Sequence, residues 1–116
     1  MHELSISGAI VDTAIKHADG RKVSVVNVRI GHLRQAIPKS LHFYWEIVTR
    51  ETLAEGARLE LEIVPGRLRC KACNHDWSVD APAFRCPQCA SGDVAVESGD
   101  ELEVESIEVE DAACIV

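Results

Sequence analysis

Cys70-Lys71-Ala72-Cys73, a gap of twelve residues, then Cys86-Pro87-Gln88-Cys89: this stretch decides how the chain is organised. Each Cys-x-x-Cys pair can put two thiolates on one side of a tight loop, and two such loops face to face supply four sulfurs in a tetrahedron. A closed sulfur tetrahedron suits structural Zn(II), a d10 ion with no geometric preference of its own. The gap is slightly short for two such pairs, so a short ribbon tip is expected. Four thiolates and one Zn(II) leave a net charge of −2, and Arg67, Arg69, Lys71 and Arg85 are expected to offset it. The competing readings are two disulfides, buried free thiols, and an Fe(Cys)4 electron-transfer centre, because thiolate tetrahedra also hold iron. The N-terminus lacks a signal peptide's basic-then-apolar order, so a cytoplasmic protein with a metal site instead of bridges is expected.

Immediately upstream, Leu59, Leu61 and Ile63 alternate with Glu60 and Glu62, which reads as a strand buried on one face, left at Pro65-Gly66. Thr52 to Glu55 followed by Gly56 reads as a capped turn. Pro38 suits the first turn of a helix whose buried stripe is Leu41, Tyr44, Trp45 and Val48. Lys22 to Ile30 reads as a strand with valines on both parities, so either both faces are covered or a bulge falls near Val25-Val26. Leu4, Ile10, Val11, Ala14, Ile15 and Ala18 set a helix over 4–18, stopped by Asp19-Gly20, with Met1, His2 and Glu3 as a frayed overhang. Downstream, Leu102 and Val104 share one parity and Ile107 and Val109 the other, which predicts a final strand with a bulge near Glu105-Ser106. The expected fold is α+β: a small three-stranded sheet with two helices on one face, interrupted by a zinc ribbon. The domains are then residues 1–66 with 97–116, and the ribbon 67–96.

Composition narrows the function classes. At 116 residues the chain has room for one modest core and a small satellite held by metal. The net charge is −7; residues 67–89 carry four basic and two acidic side chains, so the remainder stands at −9. Nucleic acid, which many zinc ribbons bind, is therefore not an expected partner. No apolar run approaches a membrane span. No nucleophilic triad, phosphate-cradling glycine loop or catalytic cysteine context is present, and the strong metal site is coordinatively closed, so an enzyme is not expected.

A second metal chemistry is written at the start of the chain. The Met1 amine, the deprotonated His2 amide and the His2 imidazole can close fused chelate rings around one ion, with Glu3 supplying a fourth ligand through carboxylate or amide. Planar, nitrogen-rich coordination favours Ni(II) or Cu(II) over Zn(II). The plain alternative is a solvated surface histidine. His17, His32 and His42 read as solvated imidazoles, His75 as a competitor for zinc beside Cys73, and Cys114 as a free thiol in a tail.

Along its whole length the chain resembles the HypA-type nickel metallochaperones of NiFe-hydrogenase maturation. The resemblance rests on Met1-His2-Glu3-Leu4-Ser5-Ile6, Ala54-Glu55-Gly56-Ala57, Cys70-x-x-Cys73, Arg85-Cys86-Pro87-x-Cys89 and Gly99-Asp100-Glu101-Leu102 through Ser106–Glu110. It implies a nickel site at Met1, His2 and Glu3, and a structural zinc site at Cys70, Cys73, Cys86 and Cys89. It further implies delivery of Ni(II) to the hydrogenase large subunit with help from a companion nickel-handling GTPase. Self-association is left open, and Cys114 lies outside the pattern.

Overall fold

The computed structural model describes residues 2–79 and 84–110. Among them the order is α1 (His2–Ala18), β1 (Val23–Gly31), a 3-10 turn (His32–Arg34), α2 (Pro38–Val48), β2 (Arg58–Val64), β3 (Gly66–Cys70), β4 (Asp76–Val79), β5 (Val94–Ser98) and β6 (Leu102–Val109). Two three-stranded sheets result, ordered β2-β1-β6 and β4-β3-β5. The chain divides into two compact units: Met1–Val28, Ala36–Glu62 and Glu103–Val116 form unit 1, and Arg29–Gln35 with Ile63–Leu102 form unit 2.

Unit 1 is a helix pair and the body of the first sheet. The buried stripe of α1 is Glu3, Ile6 and Ser7, Ile10 and Val11, Ala14 and Ala18, the three-and-four spacing of one helix face. This corrects the expected stripe. The helix begins at His2 instead of Leu4, and Leu4 is 48% exposed, because a stripe anchored on Ile10 and Ala14 passes through position 3 in the first turn. Asp19 (φ 54) and Gly20 (φ 81) end the helix in left-handed conformations, as Asp-Gly suits. In α2, Leu41 and Trp45 are buried, and Trp45 Nε1 donates to the Ala57 carbonyl at 2.9 Å, so the one polar atom of its ring is satisfied inside the core.

The strands behave less simply than their patterns. Val23 and Val25 on one parity of β1 and Val26, Val28 and Ile30 on the other are buried, while Ser24 is exposed and Asn27 and Arg29 are half-buried, so the buried parity switches at Val25-Val26. In β2 only Leu59 and Val64 are buried, Leu61 is half-buried and Ile63 is 40% exposed. The expected one-face alternation fails there because β2 is an edge strand and its inward parity changes at the last residue. In β6 the half-buried residues switch parity between Val104 and Ile107, as the sequence implied. The expected bulge, however, adds no net residue. Glu110 donates to Lys22 and Gly31 donates to Glu101, so nine steps on β1 face nine on β6. The switch at Val25-Val26 lies opposite the one at Glu105-Ser106, and the two compensate.

Unit 2 has a sheet of its own that no apolar pattern announced. β3 pairs antiparallel with β4 (Leu68 opposite Trp77) and with β5 (Leu68 opposite Val96), with a register shift between Arg67 and Leu68. Leu68 is its fully buried aliphatic residue. The segment Arg29–Gln35 joins this unit through main chain: Gly31 N donates to Glu101 O at 2.7 Å and Leu33 N to Gly99 O at 2.8 Å. Glycine is required at this junction. A Cβ on Gly31 would fall on the Gly99 carbonyl, one on Gly99 (φ +104) would fall on Gly66 Cα, and one on Gly66 would meet the Val79 carbonyl at 2.7 Å.

Candidate metal centre

The two Cys-x-x-Cys loops fold by the same hydrogen bonds. Cys70 N donates to His75 O and Asn74 N to Cys70 O, both at 2.8 Å; Cys86 N donates to Ser91 O at 2.9 Å and Ala90 N to Cys86 O at 2.8 Å. In each loop the residue after the second cysteine is left-handed, Asn74 at φ 63 and Ala90 at φ 64. That turn closes each loop, with the left-handed residue's own N–H on the first cysteine's carbonyl. Asn tolerates the conformation well; Ala does so against its Cβ. The sequence marks the first turn through Asn and hides the second behind Ala.

Together the loops bring Cys70, Cys73, Cys86 and Cys89 into one group, with all four sulfurs within 4.8 Å of one another. The Cys70–Cys89 and Cys73–Cys86 sulfur pairs are 3.6 Å apart. A disulfide needs about 2.05 Å, so the bridged reading is excluded. A tetrahedral Zn(II) with bonds of about 2.3 Å has sulfur–sulfur edges of about 3.8 Å. The set fits that ion. Cys70 and Cys86 are buried, Cys73 is half-buried and Cys89 is exposed at the rim.

The thiol acidities show why a cation belongs there. The His75 N–H favours the Cys73 thiolate, but burial and the three neighbouring sulfurs outweigh it and push that thiol up to about 12. Burial alone would raise Cys86; the N–H groups of Cys89 and Gln88, both 3.4 Å from its Sγ, bring it down to about 7. Sulfurs this close cannot all ionise unaided, so loading a divalent ion must release protons. The four basic residues expected to balance the thiolates are otherwise engaged. Arg67 pairs with Asp76 at 3.1 Å, Arg69 with Glu97 at 3.3 Å, Lys71 lies 4.0 Å from Asp93, and Arg85 donates to the Ala90 carbonyl. Backbone N–H groups face the sulfurs of Cys73 and Cys86. His75 stacks on Trp77 with ring centroids 5.7 Å apart and is outside the four-sulfur group; His17, His32 and His42 are exposed.

At the other end of the chain, His2 lies in the first turn of α1, where the frayed overhang was expected. Met1 and Cys114 lie outside the described residues. Glu3 is buried, at 5% exposed, and its Oε2 accepts the N–H of Ile37 at 3.2 Å. The chain's terminal amine, then the N–H groups of Glu3 itself and of Ile37, hold its carboxyl down at about 2. Sequence reasoning missed Ile37 as a partner of this end. The signal was Pro38 with no Ser, Thr, Asp or Asn before it, a helix start whose cap must come from elsewhere.

Residues 1–109 match the family model described as hydrogenase/urease nickel incorporation, metallochaperone, HypA. A hydrogenase maturation factor HypA from Geobacter metallireducens is 43% identical over 110 residues, covering 95% of this chain and all of that protein. One from Desulfosudis oleivorans is 39% identical over 115 residues, covering 96% of this chain and all of the relative. The solution structure of the Ni metallochaperone HypA from Helicobacter pylori superposes with a TM-score of 0.67 at 25% identity, covering 94% of this chain and 97% of that one. With a matching fold, a zinc-ready cysteine group and a whole-length family match, the chain belongs to the HypA family of nickel metallochaperones for hydrogenase and urease nickel incorporation.

Proposed function

We propose that this chain binds Ni(II) at Met1, His2 and Glu3 and delivers it to the hydrogenase large subunit, working in the cytoplasm with a companion nickel-handling GTPase. The cargo end belongs to residues 1–66 with 97–116. The ribbon 67–96 holds one structural Zn(II) on Cys70, Cys73, Cys86 and Cys89. The observation that carries the reading is the Met1-His2-Glu3 start at the mouth of α1 in a chain of this family.

Helix geometry supports it. The first N–H groups of an α-helix have no carbonyl partner four residues earlier, so the amides of His2 and Glu3 can be engaged by a metal without cutting a helical hydrogen bond. The positive end of the helix opposes a bound cation by several tenths of a kcal/mol, typically about 0.3–1. A site that binds through nitrogen chelation and is weakly opposed by its own scaffold suits an ion that must be handed on. The cysteine group has the contrary design: soft thiolates, closed and retained. With −9 outside residues 67–89, partners docking on the cargo end are expected to be basic, and their association to slow with salt.

Calorimetric nickel titration of three tag-free proteins tests the reading: native, extended by one Gly before Met1, and His2→Ala, with zinc and iron measured in each. Native protein takes up nickel, while both variants keep their zinc and bind nickel much more weakly. Unchanged affinity in the extended protein removes the terminal amine from the ligand set. Unchanged affinity in His2→Ala sinks the site.

A further inference from the structure

α2 starts without a cap of its own. Its N-cap is Ile37, which has no side-chain cap hydrogen bond, and Pro38 next to it has no N–H to satisfy. The Ile37 N–H is taken instead by Glu3 Oε2, reaching across 34 residues of sequence. Glu3 stands in the buried stripe of α1, at a position where an apolar residue would ordinarily pack, and the neighbouring Leu4 faces outward. A carboxylate at that depth is costly unless it is hydrogen-bonded, and the positive end of a helix is the environment that favours it. The charge therefore has a structural employment with no metal present, beside the terminal amine that also faces it.

From this geometry we infer that Glu3 is a positioning residue whose carboxylate caps α2 and pins the first turn of α1, and that this carboxylate is not a nickel ligand. The inference rests on the N-terminal nickel reading only for its second half. The cap holds the turn that carries His2 against a fixed neighbour, so the chelating end is presented from a defined base instead of a loose tail.

Two measurements test it. In nickel-free protein, amide exchange at Ile37 is followed in native, Glu3→Ala and Glu3→Gln chains, with zinc content confirming the fold. Glu3→Ala speeds exchange at Ile37 by about fivefold, the usual worth of a helix cap, and Glu3→Gln, whose carbonyl can still accept, restores most of the protection. Nickel is then added: Ile37 stays protected in native protein, and the nickel absorption spectrum of Glu3→Gln matches native. Release of the Ile37 N–H by nickel, or a shifted spectrum in Glu3→Gln, makes the carboxylate a ligand and overturns the inference. So does exchange at Ile37 that ignores Glu3→Ala. Failure of the nickel reading looks different, with His2→Ala binding nickel as native does while the exchange results stand.

Discussion

Unit 1 is held by apolar burial and unit 2 by sulfur and main chain. In unit 1 the enclosed residues are those of an ordinary core: Ile6, Ile10, Val11 and Ala14 on α1, Val23, Val26 and Val28 on β1, Leu41 and Trp45 on α2. Among the described residues of unit 2 the buried side chains reduce to Ile30, Val64, Leu68 and two of the sulfurs, and the Arg67–Asp76 and Arg69–Glu97 pairs lie in solvent. Exposed pairs of that kind are worth about 0–1 kcal/mol each. The difference teaches where each unit is vulnerable: one to cavities, the other to loss of its ion.

The largest effect should come from the metal. Structural zinc contributes on the order of 10 kcal/mol to domains that fold around it. Exhaustive chelation, or Cys70→Ala, should therefore abolish exchange protection at Leu68 and along β3 while amides of α1 and β1 up to Val28 keep theirs. Protection at Leu68 that survives stripping, or loss that spreads evenly through both units, breaks the comparison. A cavity should do the reverse. Trp45→Ala removes a side chain that is 3% exposed and abandons the Ala57 carbonyl, at a cost of about 3–5 kcal/mol. Urea unfolding monitored on α1 should register that loss, with one zinc per chain retained in the native baseline. The smallest effect separates the two cysteine loops. Ala90→Gly should relieve a left-handed alanine and stabilise the zinc-bound ribbon by about 0.5–1 kcal/mol, read as slower zinc transfer to a chelator. Asn74→Gly should change little. Equal responses at the two positions would show that the left-handed turns carry no such difference.

How legible this was from sequence varied with the kind of physics involved. Cysteine spacing is local and chemically specific, so the four ligands and their grouping could be read directly. The helices were legible because period-3.6 burial is regular, yet the first turn of α1 was misplaced by one position. There the apolar Leu4 points out and the charged Glu3 points in, where its carboxylate accepts a backbone N–H at the start of a helix far along the chain. The ribbon's strands escaped notice because Arg67-Leu68-Arg69 alternates around a single buried leucine, too short a run to register as a period. The compensating parity switches of β1 and β6 were visible on each strand, but their cancellation is a property of the pairing. The membership of Arg29–Gln35 in unit 2 rests on main-chain hydrogen bonds and on Arg34 Nε donating to the Asp100 and Glu101 carbonyls, contacts that no apolar period announces.

That backbone junction has a consequence for how such a protein can change. At Gly31, Gly66 and Gly99 the chain passes itself with no side chains between, so every single substitution adds atoms where main chain already stands. Most of a protein drifts by small exchanges that neighbours absorb; this spot offers none. The junction can be altered only by rebuilding three separate stretches of chain at once. The fold is thus frozen at this crossing, and a ribbon grafted between Gly66 and Gly99 would succeed only in a host that keeps all three glycines.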